Sequence, residues 1–500
     1  MTPSRRESLI GATSLALGAS LGGRAALAAT SSASVNGVIN VFSFAGGNSA
    51  PVIIKPGFVG LSFEKFALAD GLFSTRNANL SALISTFKFM GSSYLRIGGN
   101  TVDTVKWNQN GNGTGYNEVA PANIAQLRAF LDRVGWQVIY GVNLATSTPD
   151  LAVAEVNCVV QTLGDRLYAV EFGNEPNFFN NQKYPPPTGY SSWTYALYIN
   201  RWKQFADAVL HAQPNIRLAG PEFIGDLGWF KQFLADTQSY PLSLATFHYY
   251  RGSGTQPSDN MTTLLSPDSN HASQVAAASQ LAASRPYGLP LRMAEVGSYL
   301  SPPKSGSNGG NTYSGALWAI DHVFQSAIHG ASGVNFHCVS TANYTAIENK
   351  WERTTTGLRP AFWGLVFAAK TQYYVNNHST ANVVQNSIIM TGKANPYFSA
   401  YAIRADSDCG VVIVNKDPST TLNMTVNFNS NIEYATLIQM GGLALTASTP
   451  PPIWQASFSR TQFHAMPTKP QDVGISGTQA SLIVPPASAT YLGVTCQHAV

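Results

Sequence analysis

Charged residues are scarce in this sequence. Only 11% of its 500 residues are Asp, Glu, Lys or Arg, whereas 44% are hydrophobic. Disordered segments and long coiled coils depend on many charged residues, so the composition excludes these classes and indicates a well-packed globular protein. The formal net charge is only +4, and no run of Lys and Arg is interleaved with aromatic residues. The sequence therefore predicts no nucleic-acid partner.

Cysteine is also rare, and the four cysteines form no CxxC pair: Cys158, Cys338, Cys409 and Cys496. This spacing excludes a zinc ribbon and is too sparse for a disulfide scaffold. Cys409 and Cys496 share the C-terminal region, where the sequence is compatible with either a disulfide or two free thiols. Cys158 and Cys338 are interpreted as buried, unreactive thiols.

Motifs for metals and phosphate-bearing cofactors are missing. The nine histidines show no HExxH or similar paired spacing, which is the usual pattern of a helical zinc site. No Gly-rich turn follows the first predicted strand, as a dinucleotide-binding sheet requires. The sequence predicts neither a metal nor a cofactor.

Only the first residues contain an apolar stretch of the kind that directs export. Arg5 and Arg6 precede the apolar segment Leu9–Leu21, and Ala26-Leu27-Ala28 is a small-x-small cleavage signal. We interpret residues 1–28 as a signal peptide of the twin-arginine type, with an ordinary secretory signal as the alternative. Because no later apolar run approaches the ~20 residues that cross a bilayer, the mature chain is expected to be periplasmic or extracellular, without a membrane anchor.

Apolar β-rich runs alternate with helical stretches between residues 56 and 384. In a parallel sheet covered by helices, strands are apolar on both faces, and eight such strand–helix units favour a (β/α)8 barrel. The predicted strands are Gly57–Glu64, Ser93–Ile97, Trp136–Val142, Tyr168–Phe172, Ile216–Pro221, Leu244–Tyr250, Leu291–Val296 and Gly333–Cys338.

The pattern changes after residue 384. Short strand-like segments separated by Asp, Ser, Pro and Gly turns occupy residues 385–500, without helical periodicity, and predict an antiparallel β-sandwich. These segments are Ser387–Gly392, Tyr397–Arg404, Gly410–Asn415, Leu422–Phe428 and Ala489–Val494. Residues 29–55 have the same character and are expected to add strands to this sandwich.

Two carboxylates are predicted at the mouth of the barrel, where the active sites of such barrels lie. Glu175 follows the fourth strand and Glu295 ends the seventh, so the two face each other across the opening. Hydrolysis of a glycosidic bond needs such a pair, one acid to protonate the departing oxygen and one carboxylate to attack the sugar. Asn174 is placed to bond the sugar's 2-hydroxyl.

The string Asn174-Glu175-Pro176 on strand four, with a Glu ending strand seven, resembles clan A of the glycoside hydrolases. This resemblance implies retention of configuration, a covalent glycosyl-enzyme and carboxylates about 5–5.5 Å apart. Three further strings, with the C-terminal β domain, are similar to glycoside hydrolase family 79, the β-glucuronidases and heparanases: Gly60-Leu61-Ser62-Phe63-Glu64, Leu95-Arg96-Ile97-Gly98-Gly99 and Phe247-His248-Tyr249-Tyr250.

The family resemblance implies roles for individual residues. Glu175 would be the general acid/base and Glu295 the nucleophile. Glu64 would bind outer hydroxyls. Arg96 would support the ionised nucleophile, with bracing of the barrel floor as the alternative role. Of Tyr249 and Tyr250, the second is favoured as the donor to Glu295, and Tyr344 would contact a uronate carboxylate.

One loop departs from the family pattern. Family members of this type carry paired glycines soon after the nucleophile, whereas here Ser301-Pro302-Pro303 follows, and proline has no amide hydrogen to donate. Either Gly309 and Gly310 take that role, or the preferred sugar is not a simple glucuronide. A β-glucosidase, β-xylosidase, arabinofuranosidase or non-catalytic carbohydrate-binding protein therefore remains an alternative.

Four further polar and aromatic residues are interpreted from the sequence as having no part in the reaction. His248 is interpreted as a packed structural histidine and Glu222 as a loop carboxylate outside the reaction. Trp107 and Trp318 are interpreted as core residues. The sequence does not predict an oligomeric state.

Overall fold

The computed structural model describes residues 33–41, 52–179, 187, 189–303, 306–350, 352–375, 381–384, 386–390, 397–405, 408–451, 453–459, 463–465 and 473–497. The predicted signal peptide, residues 1–28, lies outside this range. Among the described residues, every helix is too short or too polar to cross a membrane.

Eight parallel strands close into a barrel in the circular order β10-β11-β12-β3-β4-β7-β8-β9. In chain order, the strands up to the end of the barrel are β1 Ser34–Val41, β2 Val52–Ile54, β3 Val59–Glu64, β4 Tyr94–Gly98, β5 Lys106–Trp107, β6 Glu118–Val119, β7 Gln137–Val142, β8 Leu167–Phe172, β9 Leu218–Ile224, β10 Leu242–Gly252, β11 Leu291–Tyr299 and β12 Ala331–Cys338. The predicted (β/α)8 barrel is confirmed, and each of the eight predicted strands corresponds to a barrel strand.

Helices cover the outside of the barrel. They are α1 Lys65–Asp70, α2 Leu80–Met90, α3 Pro121–Val134, α4 Pro149–Leu163, α5 Tyr195–Ala212, α6 Leu227–Asp236, α7 Met261–Leu265, α8 Ser269–Ala283, α9 Tyr313–Ile328 and α10 Pro360–Val375. The local sequence explains why two of these helices begin where they do. Proline stands at the first position of α3 and α4, where no amide hydrogen is needed, and the Thr148 side chain accepts a hydrogen bond from Leu151 N.

The C-terminal part forms a β-sandwich, as predicted. Its strands follow a hairpin of β13 Ile347–Lys350 and β14 Thr354–Leu358, and are β15 Ala381–Val384, β16 Asn386–Met390, β17 Phe398–Ala405, β18 Asp408–Asn415, β19 Thr421–Asn427, β20 Ile432–Met440, β21 Ile453–Ser459, β22 Phe463–Ala465, β23 Gly474–Ser476, β24 Gln479–Val484 and β25 Ser488–Cys496. One sheet has the order β16-β1-β19-β24-β23 and the other β2-β15-β17-β18-β25-β20-β21-β22.

The two sheets of the sandwich share one hydrophobic core. Ile39 and Met424 from one sheet pack in the same buried cluster as Val411 and Leu492 from the other. The N-terminal strand β1 lies inside the first sheet, antiparallel to β16 and parallel to β19, and β2 pairs with β15 in the second. The sequence did not predict β15 or the strands from β20 to β24. β24 carries Gln479 and Ser481 on its exposed face, which weakens its apolar pattern.

The cysteine pair of the sandwich lies on adjacent strands. Cys409 in β18 is directly opposite Val494 in β25, two residues before Cys496. Both thiols are free and buried in the core of the sandwich. Trp107 and Trp318 are 9% and 6% exposed and belong to the barrel's hydrophobic core, in agreement with the sequence interpretation.

An ion pair is buried in the barrel wall. Lys65 Nζ lies 2.6 Å from Glu155 Oε1, and both side chains are 1% exposed. Tyr140 donates a second hydrogen bond to the same oxygen at 2.7 Å, and Lys65 also bonds Gly141 O at 3.0 Å. Each charge is stable at this depth only because its partner is present.

We expect Lys65→Met to destabilise the fold by about 3–5 kcal/mol, because it leaves Glu155 charged, buried and without its cation. Chemical or thermal denaturation monitored by circular dichroism measures this loss. The double variant Lys65→Met/Glu155→Gln should regain most of the stability, since it removes both charges. A Lys65→Met variant that melts at the wild-type temperature would contradict this account.

Candidate active site

Glu175 and Glu295 converge at the carboxyl ends of the barrel strands. Glu175 follows β8, at φ 47° in the left-handed region, and begins a short 3-10 turn, Pro176–Phe178. Glu295 lies within β11. A carboxylate oxygen of one lies within 4.8 Å of a carboxylate oxygen of the other, and their side chains are 16% and 6% exposed. The structure thus brings the two predicted glutamates to one small, nearly buried space.

A single arginine beneath them holds three carboxylates. Arg96 Nε lies 2.8 Å from Glu171 Oε1, Nη1 lies 2.7 Å from Glu295 Oε2, and Nη2 lies 2.7 Å from Glu222 Oε2. The Arg96 side chain is fully buried. Nη2 also donates to Asn174 Oδ1 at 2.9 Å. Arg96 therefore balances charge at the base of the site, beyond bracing the barrel floor.

The surroundings of Glu295 favour its ionised form. Tyr250 donates its hydroxyl to Glu295 Oε1 at 2.7 Å, as the sequence favoured. Burial by itself would raise the pKa of Glu295, but His337, His248 and Arg96, together with the Tyr250 hydrogen bond, lower the pKa to about 2. At neutral pH this carboxylate is an anion.

His248 connects Glu175 with a second, deeper glutamate. Its Nδ1 lies 3.0 Å from Glu175 Oε1, and its Nε2 lies 2.7 Å from Glu222 Oε2. Burial and Arg96 lower the pKa of the ring, but its hydrogen bonds to the carboxylates of Glu175 and Glu222 and the charge of Glu295 raise it to about 9. His248 is fully buried, and both ring nitrogens contact carboxylates, so the interpretation of His248 as a packed structural residue stays a prediction.

Glu222 is a strand residue, which corrects its interpretation as a loop carboxylate. β9 continues to Ile224, past the predicted end at Pro221, and Glu222 is fully buried. Its backbone has φ 62°, and its carbonyl accepts a hydrogen bond from Glu175 N at 2.9 Å. Left-handed conformations at non-glycine residues are uncommon and cluster at functional sites. Here the left-handed backbone conformations of Glu175 and Glu222 determine the direction in which each side chain points.

Glu171 is the third carboxylate on Arg96. It lies in β8, four residues before Glu175, and is fully buried. Burial raises the pKa of Glu171 well above its usual value, and although Arg96 lowers it, the neighbouring Glu222 raises it further. Arg96 and His248 lower the pKa of Glu222 despite its burial. The directions of these shifts favour the neutral form of Glu171 and the ionised form of Glu222.

Asn174 is fixed from three sides. Its amide oxygen accepts the bond from Arg96, its Nδ2 donates to Asn100 Oδ1 at 3.1 Å, and its backbone N donates to Asp103 Oδ2 at 2.8 Å. Asp103 also accepts from Leu144 N at 2.9 Å, which anchors the loop after β7. The predicted amide beside Glu175 is therefore present in a single, well-determined orientation.

Glu64 and Tyr344 lie beside the glutamates. Glu64 Oε2 accepts from Thr101 N at 2.7 Å, and Oε1 lies 3.4 Å from His337 Nε2. The half-buried Tyr344 packs against Tyr250, with ring centroids 5.1 Å apart. Their roles towards a sugar stay predictions, and for Glu64 both oxygens are already hydrogen-bonded within the protein.

Tyr249 points away from the site, which corrects its prediction as a substrate-binding residue. Side chains alternate along a strand, so Tyr249 faces outwards where His248 and Tyr250 face inwards. Its hydroxyl donates to Asp268 Oδ2 at 2.7 Å, and its ring lies 4.9 Å from that of His271 on α8.

The paired glycines do not offer free amides. Gly309 N donates to Ser307 Oγ at 3.1 Å, and Gly310 N donates to Asn308 Oδ1 at 3.2 Å. The loop thus folds on itself next to Ser298, which a Cβ at position 310 would touch. Their predicted role as holders of a uronate carboxylate is not supported, because both hydrogens are already donated.

The sequence analysis gave no role to Glu171 or His337. His337 Nδ1 lies 3.0 Å from Ser62 Oγ and 3.7 Å from Glu295 Oε2. Burial favours its neutral form, but Glu295 and Glu64 raise the pKa of the ring. Both residues are ionisable groups inside otherwise apolar strands. An ionisable residue in such a strand must face the barrel interior and needs a partner there, so the sequence could have indicated both residues.

Within the described residues, Glu175, His248 and Glu295 are the one group of acidic and histidine ligand atoms close enough to surround a cation. In the present arrangement both nitrogens of His248 face carboxylate oxygens, which matches a hydrogen-bonding ring rather than a metal ligand. The expected absence of a metal stays a prediction.

No family model matches the sequence. No curated protein sequence matches it either. Solved structures do resemble the fold. A 4-O-α-L-rhamnosyl-β-D-glucuronidase from Fusarium oxysporum 12S has a TM-score of 0.71 at 21% identity, over 92% of this chain and 100% of that one. A family 51 α-L-arabinofuranosidase from Bifidobacterium longum has a TM-score of 0.65 at 13% identity, over 92% and 99%.

A xyloglucanase of glycoside hydrolase family 44 from Paenibacillus polymyxa is also similar, with a TM-score of 0.62 at 12% identity, over 93% of this chain and 100% of that one. These structural neighbours are glycoside hydrolases with different substrates. At such low identity the likeness establishes the fold, a (β/α)8 barrel with a β-sandwich, and function has to be argued from the site.

We expect Arg96→Met to lower the melting temperature strongly at neutral pH, because Glu222 and Glu295 would then lose their buried cation. The pKa values of both carboxyls are depressed in the wild type, so their stabilising effect is present above the ordinary glutamate pKa and disappears as they are protonated. The difference from wild type should therefore be constant from pH 7 to about 5 and shrink as the pH falls below 4.5 towards about 2, the pKa of Glu295. Calorimetry across this range measures it.

The matched control is Arg128→Met, since Arg128 pairs with Asp132 at 2.8 Å on the surface, with 31% of its side chain exposed. That change should cost about 0–1 kcal/mol. A loss for Arg96→Met that is equally large at every pH would contradict the charge-balancing role.

Proposed function

We propose that the protein is a retaining glycoside hydrolase in which Glu295 is the nucleophile and Glu175 the general acid/base. The observation that carries this proposal is the short distance between their carboxylate oxygens, within 4.8 Å. Retaining enzymes place these groups about 5–5.5 Å apart, whereas inverting enzymes need about 6.5–9.5 Å to admit a water molecule. A closest approach within 4.8 Å is compatible with the shorter, retaining spacing.

In the first step, a Glu295 oxygen attacks the anomeric carbon while the bond to the leaving oxygen breaks. Glu175 transfers its proton to that oxygen, so the aglycone leaves as an alcohol and Glu295 becomes a glycosyl ester. The low pKa of Glu295, about 2, supports the role of attacking anion. Arg96 and Tyr250 each hold one oxygen of this carboxylate, which fixes its direction of attack.

In the second step, Glu175, now ionised, accepts a proton from a water molecule. The water oxygen bonds to the anomeric carbon, the ester bond to Glu295 breaks, and Glu175 is protonated again. Asn174, whose orientation is fixed by Arg96 and Asn100, is positioned to bond the adjacent sugar hydroxyl in both transition states.

For the substrate we propose a terminal β-D-glucuronide. Support comes from the sequence resemblance and from the similarity to a structure of a rhamnosyl-glucuronidase. Around the glutamates, Arg96, His248 and His337 already contact carboxylates. A uronate would therefore be held by neutral donors, and Tyr344 is the half-buried hydroxyl that packs beside Tyr250.

A neutral sugar is the second candidate for the same reaction. The occupied amides of Gly309 and Gly310 favour it, and several of the similar structures are arabinofuranosidases. An α-L-arabinofuranoside, β-glucoside or β-xyloside would use the same two carboxylates and would not need a carboxylate-binding loop.

We expect Glu295→Ala to lower kcat/KM by at least about 10³-fold, because the attacking group is lost. Steady-state hydrolysis of a nitrophenyl glycoside measures it. Tyr249→Phe is the matched control, since Tyr249 faces α8 outside the site, and it should retain most activity. Retention of wild-type activity by a correctly folded Glu295→Ala variant would refute the assignment.

The substrate proposal is tested by comparing nitrophenyl β-D-glucuronide, β-D-glucoside, β-D-xyloside and α-L-arabinofuranoside. We expect the glucuronide to have the highest kcat/KM. If a neutral glycoside is better, the glucuronide proposal is wrong while the retaining mechanism stands. If the wild-type protein binds these sugars and cleaves none, it is a carbohydrate-binding protein.

A further inference from the structure

The two buried glutamates beneath the site have one unused oxygen each. Glu171 Oε2 and Glu222 Oε1 are fully buried. When both groups are taken as ionised carboxylates, neither of these oxygens has a hydrogen-bond donor. The remaining oxygen of each is bound by Arg96. The two carboxyl groups lie within hydrogen-bonding reach of each other. One proton placed between them supplies the missing donor and removes both unpaired atoms at once.

The proton belongs to Glu171, because Glu222 is the one that faces two cations. Glu222 Oε2 contacts Arg96 Nη2 and His248 Nε2, both at 2.7 Å, whereas Glu171 contacts Arg96 alone. Two like charges buried side by side cannot both stay ionised. Glu171 is thus a neutral acid that donates to Glu222, and Glu222 is an anion that accepts from His248.

The charges around His248 then balance. The groups that face the ring are Glu222 from β9, Glu175 after β8, Glu295 from β11 and Arg96 from β4. With Glu175 protonated, the anions Glu222 and Glu295 compensate the cations Arg96 and His248. The net charge around His248 is also unchanged by the proposed first step, because Glu175 becomes negative when Glu295 loses its negative charge in the ester.

We propose that the Glu171–Glu222 pair keeps His248 protonated on both nitrogens, so that His248 donates to Glu175 Oε1 and confines the catalytic proton to Oε2. This inference rests on the proposed function. It makes Glu222 and His248 positioning residues: neither touches the substrate, and both act through the oxygen of Glu175 that carries the proton.

The other protonation state of the ring would block catalysis. If His248 were neutral with its hydrogen on Nε2, its Nδ1 would be an acceptor 3.0 Å from Glu175 Oε1. The Glu175 proton would then lie on Oε1 and bond to the imidazole instead of the leaving oxygen. With Glu175 protonated, the hydrogen bond to Glu222 and the charge of Glu295 still raise the pKa of His248, so the doubly protonated ring is present at lower pH and is lost as the pH rises.

The test compares two leaving groups on the sugar that the wild-type enzyme prefers. A phenyl glycoside needs a proton on its leaving oxygen, whereas a 2,4-dinitrophenyl glycoside leaves without one. Glu222→Gln keeps an acceptor for His248 but removes the charge that faces the ring. We expect it to lower kcat/KM at least about 30-fold for the phenyl glycoside and no more than about threefold for the dinitrophenyl glycoside.

The matched variant is Glu171→Gln, which replaces a neutral donor by another neutral donor. It should have a clearly smaller effect on the phenyl glycoside than Glu222→Gln. Equal losses for both leaving groups in Glu222→Gln, or a larger loss in Glu171→Gln, would overturn the inference while leaving the proposed function intact. A wild type that cleaves neither glycoside would instead count against the proposed function.

A second measurement does not depend on activity or on the folding of a variant. The ¹⁵N shifts of the His248 imidazole, assigned with His248→Asn, report which ring nitrogens are protonated. We expect both to be protonated in the wild-type protein at pH 7.5, with titration at higher pH, and the titration to move to lower pH in Glu222→Gln. An unprotonated ring nitrogen in the wild type at pH 7.5 would overturn the inference.

Discussion

One buried guanidinium determines the arrangement of the whole site. Arg96 has no exposed surface and binds Glu171, Glu222 and Glu295 through three different nitrogens. An uncompensated charge at this depth would cost several kcal/mol, so each carboxylate near Arg96 must be paired or protonated. The ionised state of Glu295 and the proposed proton on Glu171 follow from this requirement, whereas the proposed charge on His248 comes from the carboxylates that face its ring, against the effect of Arg96.

The barrel makes this arrangement possible because it places adjacent strands in fixed register. Ser62 of β3 lies beside Arg96 of β4, and His248 of β10 beside Glu295 of β11. Inward-facing positions on parallel strands therefore form a layer of polar groups across the barrel, above the hydrophobic packing. Glu175 lies in the short loop after β8, above this layer and on the side of the proposed substrate.

Residues whose role depends on their position in a strand could be predicted from the sequence. Glu175, Glu295 and Arg96 stand at or near recognisable strand ends, and the eight strands are continuous apolar runs, so fold and principal carboxylates could be predicted. Glu222 was missed because a proline was taken as the end of β9. Tyr249 was assigned to the site because the phase of alternation in β10 was left open. The amides of Gly309 and Gly310 were misjudged because hydrogen bonds inside a loop cannot be read from its composition.

We propose that Glu295 attacks the sugar and carries it as an ester. The most direct test is to incubate the protein with a 2-deoxy-2-fluoro glycosyl fluoride of its preferred sugar and to map the product by peptide mass spectrometry. The account predicts one added sugar per chain, on the peptide that contains Glu295. An adduct on a different residue of the active protein, or a product of inverted configuration without any adduct, would contradict it.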